Sequence, residues 1–251
     1  MIVIKIPINL HPASKDCDQA PDKIVQELKK IYSTEQGKII QFSEDTITTA
    51  DRITDKAKQL FKLPTNSIFI GGDHAITVQL MKAFAETHKH AGIVILDAHA
   101  DCSNQFSTPT QQDLLLELIK FIPPEHIVLV GTRRFYKDEL SFLNKNKIKF
   151  YSMLDISREG KEELCDAMMS TAKDFGAFYL SIDMDIADPA CAPGVNDPVP
   201  GGFTSRELLY FVQRLRCLKN FRAADICEVN PEKDVNWLTV SLAAKVASEL
   251  I

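Results

Sequence analysis

The sequence predicts a three-layer α/β/α fold around a mostly parallel sheet of roughly eight strands. Short apolar, β-branched runs alternate with longer helical patterns along the chain. The cores of those runs are apolar on both faces, as in a parallel sheet covered by helices on both sides. A length of 251 residues, 45% of them hydrophobic, is enough to build one large core. No repeat, low-complexity tract or long linker interrupts the pattern, so residues 1–251 read as a single domain.

The order of elements follows from periodicity and punctuation. Strands are predicted at Ile2–Ile8, Lys38–Phe42, Ser67–Ile70, Ile93–Leu96, Ile127–Val130, Ile148–Tyr151, Ala177–Ile182 and Ala223–Cys227. Helices are predicted at Pro21–Tyr32, Thr46–Phe61, Ala75–Thr87, Gln111–Phe121, Lys161–Phe175, Ser205–Leu218 and Asn236–Leu250. Pro21 suits a first helical turn. Thr204 or Ser205 suits an N-cap ahead of Glu207. The Pro- and Gly-rich stretch Ile186–Phe203 is long for a mere connection, which points to a functional loop.

Composition removes several function classes. The formal net charge of −5 leaves no basic excess for a nucleic-acid backbone. The apolar opening Met1–Pro7 is shorter than a signal-peptide core and lacks a cleavage pattern. No apolar run is long enough to span a bilayer. The expectation is a cytoplasmic protein without membrane partners. Its six cysteines are scattered, with no CxxC pair, as free thiols are in a reducing compartment.

The chemistry sits where the strands end. In open parallel sheets, ligands bind beyond the carboxyl ends of the strands. Four predicted strands run into acids and histidines there: Gly71-Gly72-Asp73-His74, Asp97-Ala98-His99-Ala100-Asp101, Asp183-Met184-Asp185 and Cys227-Glu228-Val229-Asn230-Pro231. Alternate residues of extended chain point the same way, so Asp97, His99 and Asp101 can converge, as can Asp183 and Asp185. Four carboxylates crowded together repel, and some are forced to hold protons unless cations intervene. Two divalent cations balance the four aspartates. Carboxylate and imidazole donors without thiolate suit manganese among the first-row metals; zinc, iron, nickel and cobalt are compatible. Paired metals commonly share a bridging water whose pKa they lower. Taken singly, Asp73 or Asp101 could also serve as a helix N-cap.

Three of these segments resemble the metal-binding signatures of the ureohydrolases, the family of arginase, agmatinase, guanidinobutyrase, proclavaminate amidinohydrolase and formimidoylglutamase. They are Gly71–His74, Asp97–Asp101 and Ser181–Pro189. Ala192-Pro193-Gly194, Pro200–Glu207 and Asp225–Pro231 continue the likeness, which runs in order from about Ser67 to the C-terminus. The resemblance implies an eight-stranded α/β/α fold, a dinuclear manganese centre and a homotrimer or homohexamer. It implies that His74 and Asp101 serve one metal, His99 and Asp185 the other, and that Asp97 and Asp183 bridge. It implies that Glu228 grips the guanidinium of a small cationic guanidino or amidino substrate, as suits a carboxylate facing paired N–H donors. Glu228 as the partner of a core arginine is the plainer reading.

The chain also departs from the family pattern. The N-terminal third matches weakly. The His-Gly pair that supplies a proton-shuttle histidine in arginases and agmatinases is absent, and Cys102–Thr110 carries no histidine. Three readings follow: a guanidino-compound hydrolase releasing urea, a formimino or amidine hydrolase with the same centre, or a non-catalytic metal-binding relative. Of the six histidines, His88, His90 and His126 precede strands and belong at the amino edge. His74 and His99 are candidate ligands. His11 follows the first strand, at the carboxyl edge; it reads most simply as a solvated loop histidine, and its pKa also suits protonation of a leaving amine. The candidate catalytic residues are therefore Asp101, Glu228 and His11.

Overall fold

A computed structural model describes residues 1–10, 14–34, 41–103 and 113–251. Eight strands are present among them: β1 (Ile2–Ile6), β2 (Gln41–Thr46), β3 (Ser67–Gly71), β4 (Ala91–Leu96), β5 (Ile127–Thr132), β6 (Lys149–Ser152), β7 (Ala177–Asp183) and β8 (Phe221–Cys227). They form one sheet in the order β2-β1-β3-β8-β7-β4-β5-β6. Every neighbouring pair is parallel.

The helices are α1 (Ala20–Thr34), α2 (Ala50–Phe61), α3 (Ile76–Thr87), α4 (Leu114–Leu118), α5 (Glu139–Asn146), α6 (Met153–Glu159), α7 (Lys161–Ala172), α8 (Ser205–Leu215) and α9 (Leu238–Leu250). Each strand sends alternate residues to opposite faces. Ile4 and Ile6 of β1, with Ile93 and Ile95 of β4, face one core shared with α2, α3, α4 and α5. Val3, Val94 and Leu96 face the other, shared with α1, α6, α7, α8 and α9. The amphipathic spacing accounts for the docking: Ile53, Ala57 and Phe61 repeat at four-residue intervals and form the buried stripe of α2. At the start of α8, Thr204 and Glu207 exchange backbone N–H bonds in a capping box. No helix among the described residues is long and apolar enough to cross a membrane.

Several boundaries move. Thr46 ends β2 rather than opening a helix, and α2 begins at Ala50. Residues 38–40 of the predicted second strand and 111–112 of the predicted fourth helix lie outside the described residues. Asn236 and Trp237 take positive φ, so α9 starts only at Leu238. Two helices that the pattern did not suggest, α5 and α6, flank β6. Only Glu139 and Leu143 of α5 and Ile156 of α6 are buried, too few to set a helical period.

Candidate metal centre

The strands that carry the candidate residues are scattered in sequence but contiguous in the sheet, as β3-β8-β7-β4. One local device shapes three of their ends. Asp97 Oδ1 accepts the N–H of His99 at 2.7 Å. Asp183 Oδ1 accepts that of Asp185 at 2.8 Å, and Asp73 Oδ1 that of Ala75 at 3.1 Å. An aspartate just past a strand thus folds the next two residues back on itself. This corrects the expectation of an extended ligand segment, because the chain turns after Asp97 and after Asp183. Asp185 Oδ1 then accepts the N–H of Ala98 at 3.1 Å, stitching the β7 end to the β4 end. Asp101 stands at φ 49° and caps none of the described helices.

The side chains converge on two triads able to hold a metal ion, His74–Asp97–Asp101 and Asp97–His99–Asp185, with Asp97 in both. His74 Nδ1 lies 3.2 Å from Asp97 Oδ2, 3.5 Å from Asp101 Oδ2 and 3.4 Å from Asp183 Oδ2. His99 Nδ1 lies 2.9 Å from Asp185 Oδ2 and 3.6 Å from Asp97 Oδ1. Asp183 joins neither triad, although it faces His74. All six residues are buried. Within this cluster, His74 Nδ1 and Asp97 Oδ2 have no hydrogen-bond partner. Buried polar atoms are normally satisfied, so orphaned lone pairs facing one another fit a cation between them.

Electrostatics points the same way. Burial pushes the Asp101 carboxyl up to about 7, with Asp97 adding to the rise. Burial, Asp185 and Asp97 raise Asp183 well above the carboxylate range. His74 is raised despite burial, because Asp101 and Asp97 favour its charged form. Without cations, this pocket retains protons. Behind the triads, Ser181 Oγ lies 2.9 Å from His74 Nε2 and donates to Asp225 at 2.7 Å. His99 Nε2 faces Asp197 Oδ2 at 3.4 Å.

Known proteins share the fold. The arginase family model matches residues 1–251. The chain belongs to the arginase family. It is 29% identical to an arginase of Bacillus caldovelox over 73% of this chain and 67% of that enzyme. It is 31% identical to a formimidoylglutamase of Halalkalibacterium halodurans over 88% of this chain and 72% of that one. A solved Bacillus subtilis arginase shares its fold at TM-score 0.91 and 24% identity, over 99% of this chain and 97% of that one. This arginase-family hydrolase therefore has the fold that its sequence signatures imply.

A cavity of about 230 Å³ opens on the triads; Glu228, Asp183, Asp185, Asp197 and Tyr136 are among its walls. Glu228 stands at φ 63° just beyond β8. Its Oε1 accepts from His74 N at 2.8 Å and Ser14 Oγ at 3.1 Å, and its Oε2 faces the Cys17 thiol at 3.7 Å. None of these partners is an arginine, so the core ion-pair reading falls. Burial, with Asp73 nearby, pushes Glu228 up to about 8. His11 lies outside the described residues. The amino-edge histidines stand as predicted: His88 and His90 lie between α3 and β4, and His126 Nδ1 is 3.0 Å from Ala91 O.

Arg133 is a half-buried clamp: its guanidinium donates to Asp185 O at 2.7 Å and to Val199 O at 2.7 Å. Gly202 faces the same guanidinium, where an added Cβ would meet Nη2 at 2.6 Å. Asp188 Oδ2 accepts from Gly201 and Gly202, tightening the loop further. The long loop after β7 is thus pinned from inside. Ser14, Cys17, Ser181, Asp197 and Asp225 escaped sequence reasoning as well. Of these, Asp225 left a signal, as a carboxylate between the apolar residues Ala224 and Ile226 of a strand.

Proposed function

We propose that this chain hydrolyses a C–N bond of a guanidino compound, arginase- or agmatinase-like, releasing urea and an amine. Two manganese-class ions would be held by His74, Asp97 and Asp101 and by Asp97, His99 and Asp185, with Asp183 bridging. The observation that carries this reading is the pair of buried histidine–aspartate triads sharing Asp97 beside Glu228. Oxygen and imidazole donors without thiolate favour manganese. Bound divalent ions supply a water acidic enough to be deprotonated near neutral pH.

The chain's own residues do the rest. Glu228, fixed by His74 N and Ser14, accepts the N–H donors of the planar cation and orients its central carbon. Asp101 takes a proton from the attacking water and returns it toward the leaving amine. His11 assists that protonation. The walls around the triads limit water and hold the substrate's near end. A cytoplasmic homotrimer or homohexamer completes the reading.

A second reading keeps the same centre with a formimino or amidine substrate. It is favoured by 31% identity to formimidoylglutamase over 88% of this chain. Manganese-loaded protein should be assayed with guanidino and formimino compounds for urea, ammonia and formamide. Urea from a guanidino compound supports the first reading, and formamide from a formimino compound the second. A fully metallated protein inert to both classes would establish the third, a non-catalytic metal binder.

A further inference from the structure

Beside the triads, one arginine is held rigidly with donors to spare. The turn after β5 is stitched to the β4 end, since the backbone N–H groups of Arg133 and Arg134 both donate to Ala98 O, at 2.9 and 3.2 Å. Arg133 turns inward and spends its guanidinium on carbonyls. Arg134 turns outward. Its Nη1 donates to Asp197 Oδ1 at 2.6 Å. Its guanidinium carbon lies 5.1 Å from the Tyr136 ring centroid. Asp197 and Tyr136 both line the cavity that holds His99, Asp185 and Glu228.

Exposed ion pairs add little to stability, and this one is 44% and 46% exposed. Its geometry matters for recognition. Asp197 Oδ1 accepts from Arg134, and its Oδ2 accepts from Tyr136 OH at 3.5 Å and lies 3.4 Å from His99 Nε2. By contrast, Nε and Nη2 of Arg134 have no hydrogen bond among the described residues. A planar guanidinium with two open donors, fixed by a carboxylate and an aromatic face, matches a carboxylate ligand.

We propose that Arg134, anchored by Asp197 and laid on Tyr136, receives the carboxylate end of the substrate. The substrate is then a guanidino or formimino carboxylic acid rather than an amine-tailed guanidine. This rests on the hydrolytic reading of the same site. Glu228 holds the cationic end and Arg134 the anionic end, so the two residues fix the molecule at both ends across the triads.

The test compares guanidinobutanoate with guanidinopropylamine, which share a three-carbon chain and differ in the sign of the tail. Formiminoglutamate serves as the formimino probe. Manganese-loaded wild type should favour the acids. Arg134→Ala should raise KM for the acids about 10–100-fold, the range for a hydrogen bond to a charged group. It should leave kcat and the amine's KM near wild type, and Arg134→Lys should recover part of the loss. Metal content measured in each variant separates this effect from a disturbance of His99 through Asp197. Equal losses for acid and amine, or a wild-type preference for the amine, would overturn the assignment. If no probe is hydrolysed, calorimetric binding of the same compounds decides. Acid-selective, Arg134-dependent binding keeps the tail site and retires the hydrolytic reading, whereas indiscriminate or absent binding retires the tail site.

Discussion

His74 Nε2 meets Ser181 Oγ at 2.9 Å, and because that hydroxyl donates to Asp225 it can only accept from the imidazole. In its neutral, metal-binding form the ring is therefore held with its proton on Nε2 and the lone pair of Nδ1 toward Asp97 and Asp101. Thr77 and Tyr179 donate to the other oxygen of Asp225, at 2.9 and 2.8 Å, so the relay is anchored on three elements. Ser181→Ala should weaken metal binding at the His74 triad by about 10–100-fold, as loss of an outer partner of a ligating histidine typically does. The His99 triad should keep its affinity. Metal titration resolving two sites reads this directly, and unchanged affinity would remove the relay from the argument.

Asp97 contributes to both triads and Asp185 to one. Asp97→Asn should accordingly reduce bound metal from near two ions per chain toward none, while Asp185→Asn should retain one. Elemental analysis after manganese loading and desalting distinguishes the two. Equal stoichiometry in both variants would mean that Asp97 is not shared.

Glu228 touches a backbone N–H, a hydroxyl and a thiol but belongs to neither triad. Glu228→Gln should leave metal content intact and lower kcat/KM. Removing one partner of a desolvated charge pair costs ~2–5 kcal/mol. Wild-type kinetics in the variant would place the cation's anchor elsewhere.

The metal-free protein should lose stability as pH rises through neutrality. Asp101 is raised to about 7 and Glu228 to about 8, chiefly by burial. An acid whose folded pKa is raised binds more protons folded than unfolded, so its stabilising contribution is complete below the unfolded pKa and lost as pH rises through the folded one. His74 and His99, also raised, act in the same sense above their ordinary range. With chelator present, Tm should fall between about pH 6 and pH 8.5, and manganese should flatten that decline because metal takes the place of the protons. A chelated protein with a level or rising Tm would show that the site does not hold these protons.

The ligand-bearing strand ends were legible because strand cores are apolar and the acids and histidines follow them at once. Asp97-Ala98-His99-Ala100-Asp101 announces itself within five residues. The supporting layer was hidden for a physical reason. Ser181 and Asp225 meet only because β7 and β8 pair in a register that sets them side by side. Arg133 acts on carbonyls, which every residue has, so no partner type in the sequence betrays it. Arg134 and Asp197 lie on two loops that are adjacent only once β5 and β7 are in the same sheet. The helix α9 began later than predicted because its apolar period continues outward into Trp237, whose backbone is left-handed. Periodicity reports side chains, not φ.

The position of β8 sets an order of events during synthesis. It is the last strand of the chain, yet it lies between β3 and β7 in the sheet. Until it arrives, the emerging chain can pair β2-β1-β3 and β7-β4-β5-β6 but has nothing to join them. His74 rides on the first block and the other candidate ligands on the second. A ribosome-bound chain short of Phe221–Cys227 therefore carries the whole Asp97–His99–Asp185 triad on one block, while the other triad lacks His74. Capture at the His74 triad has to wait for the carboxyl-terminal residues, and a stalled or clipped chain would be recognisable as the form that lacks this ion.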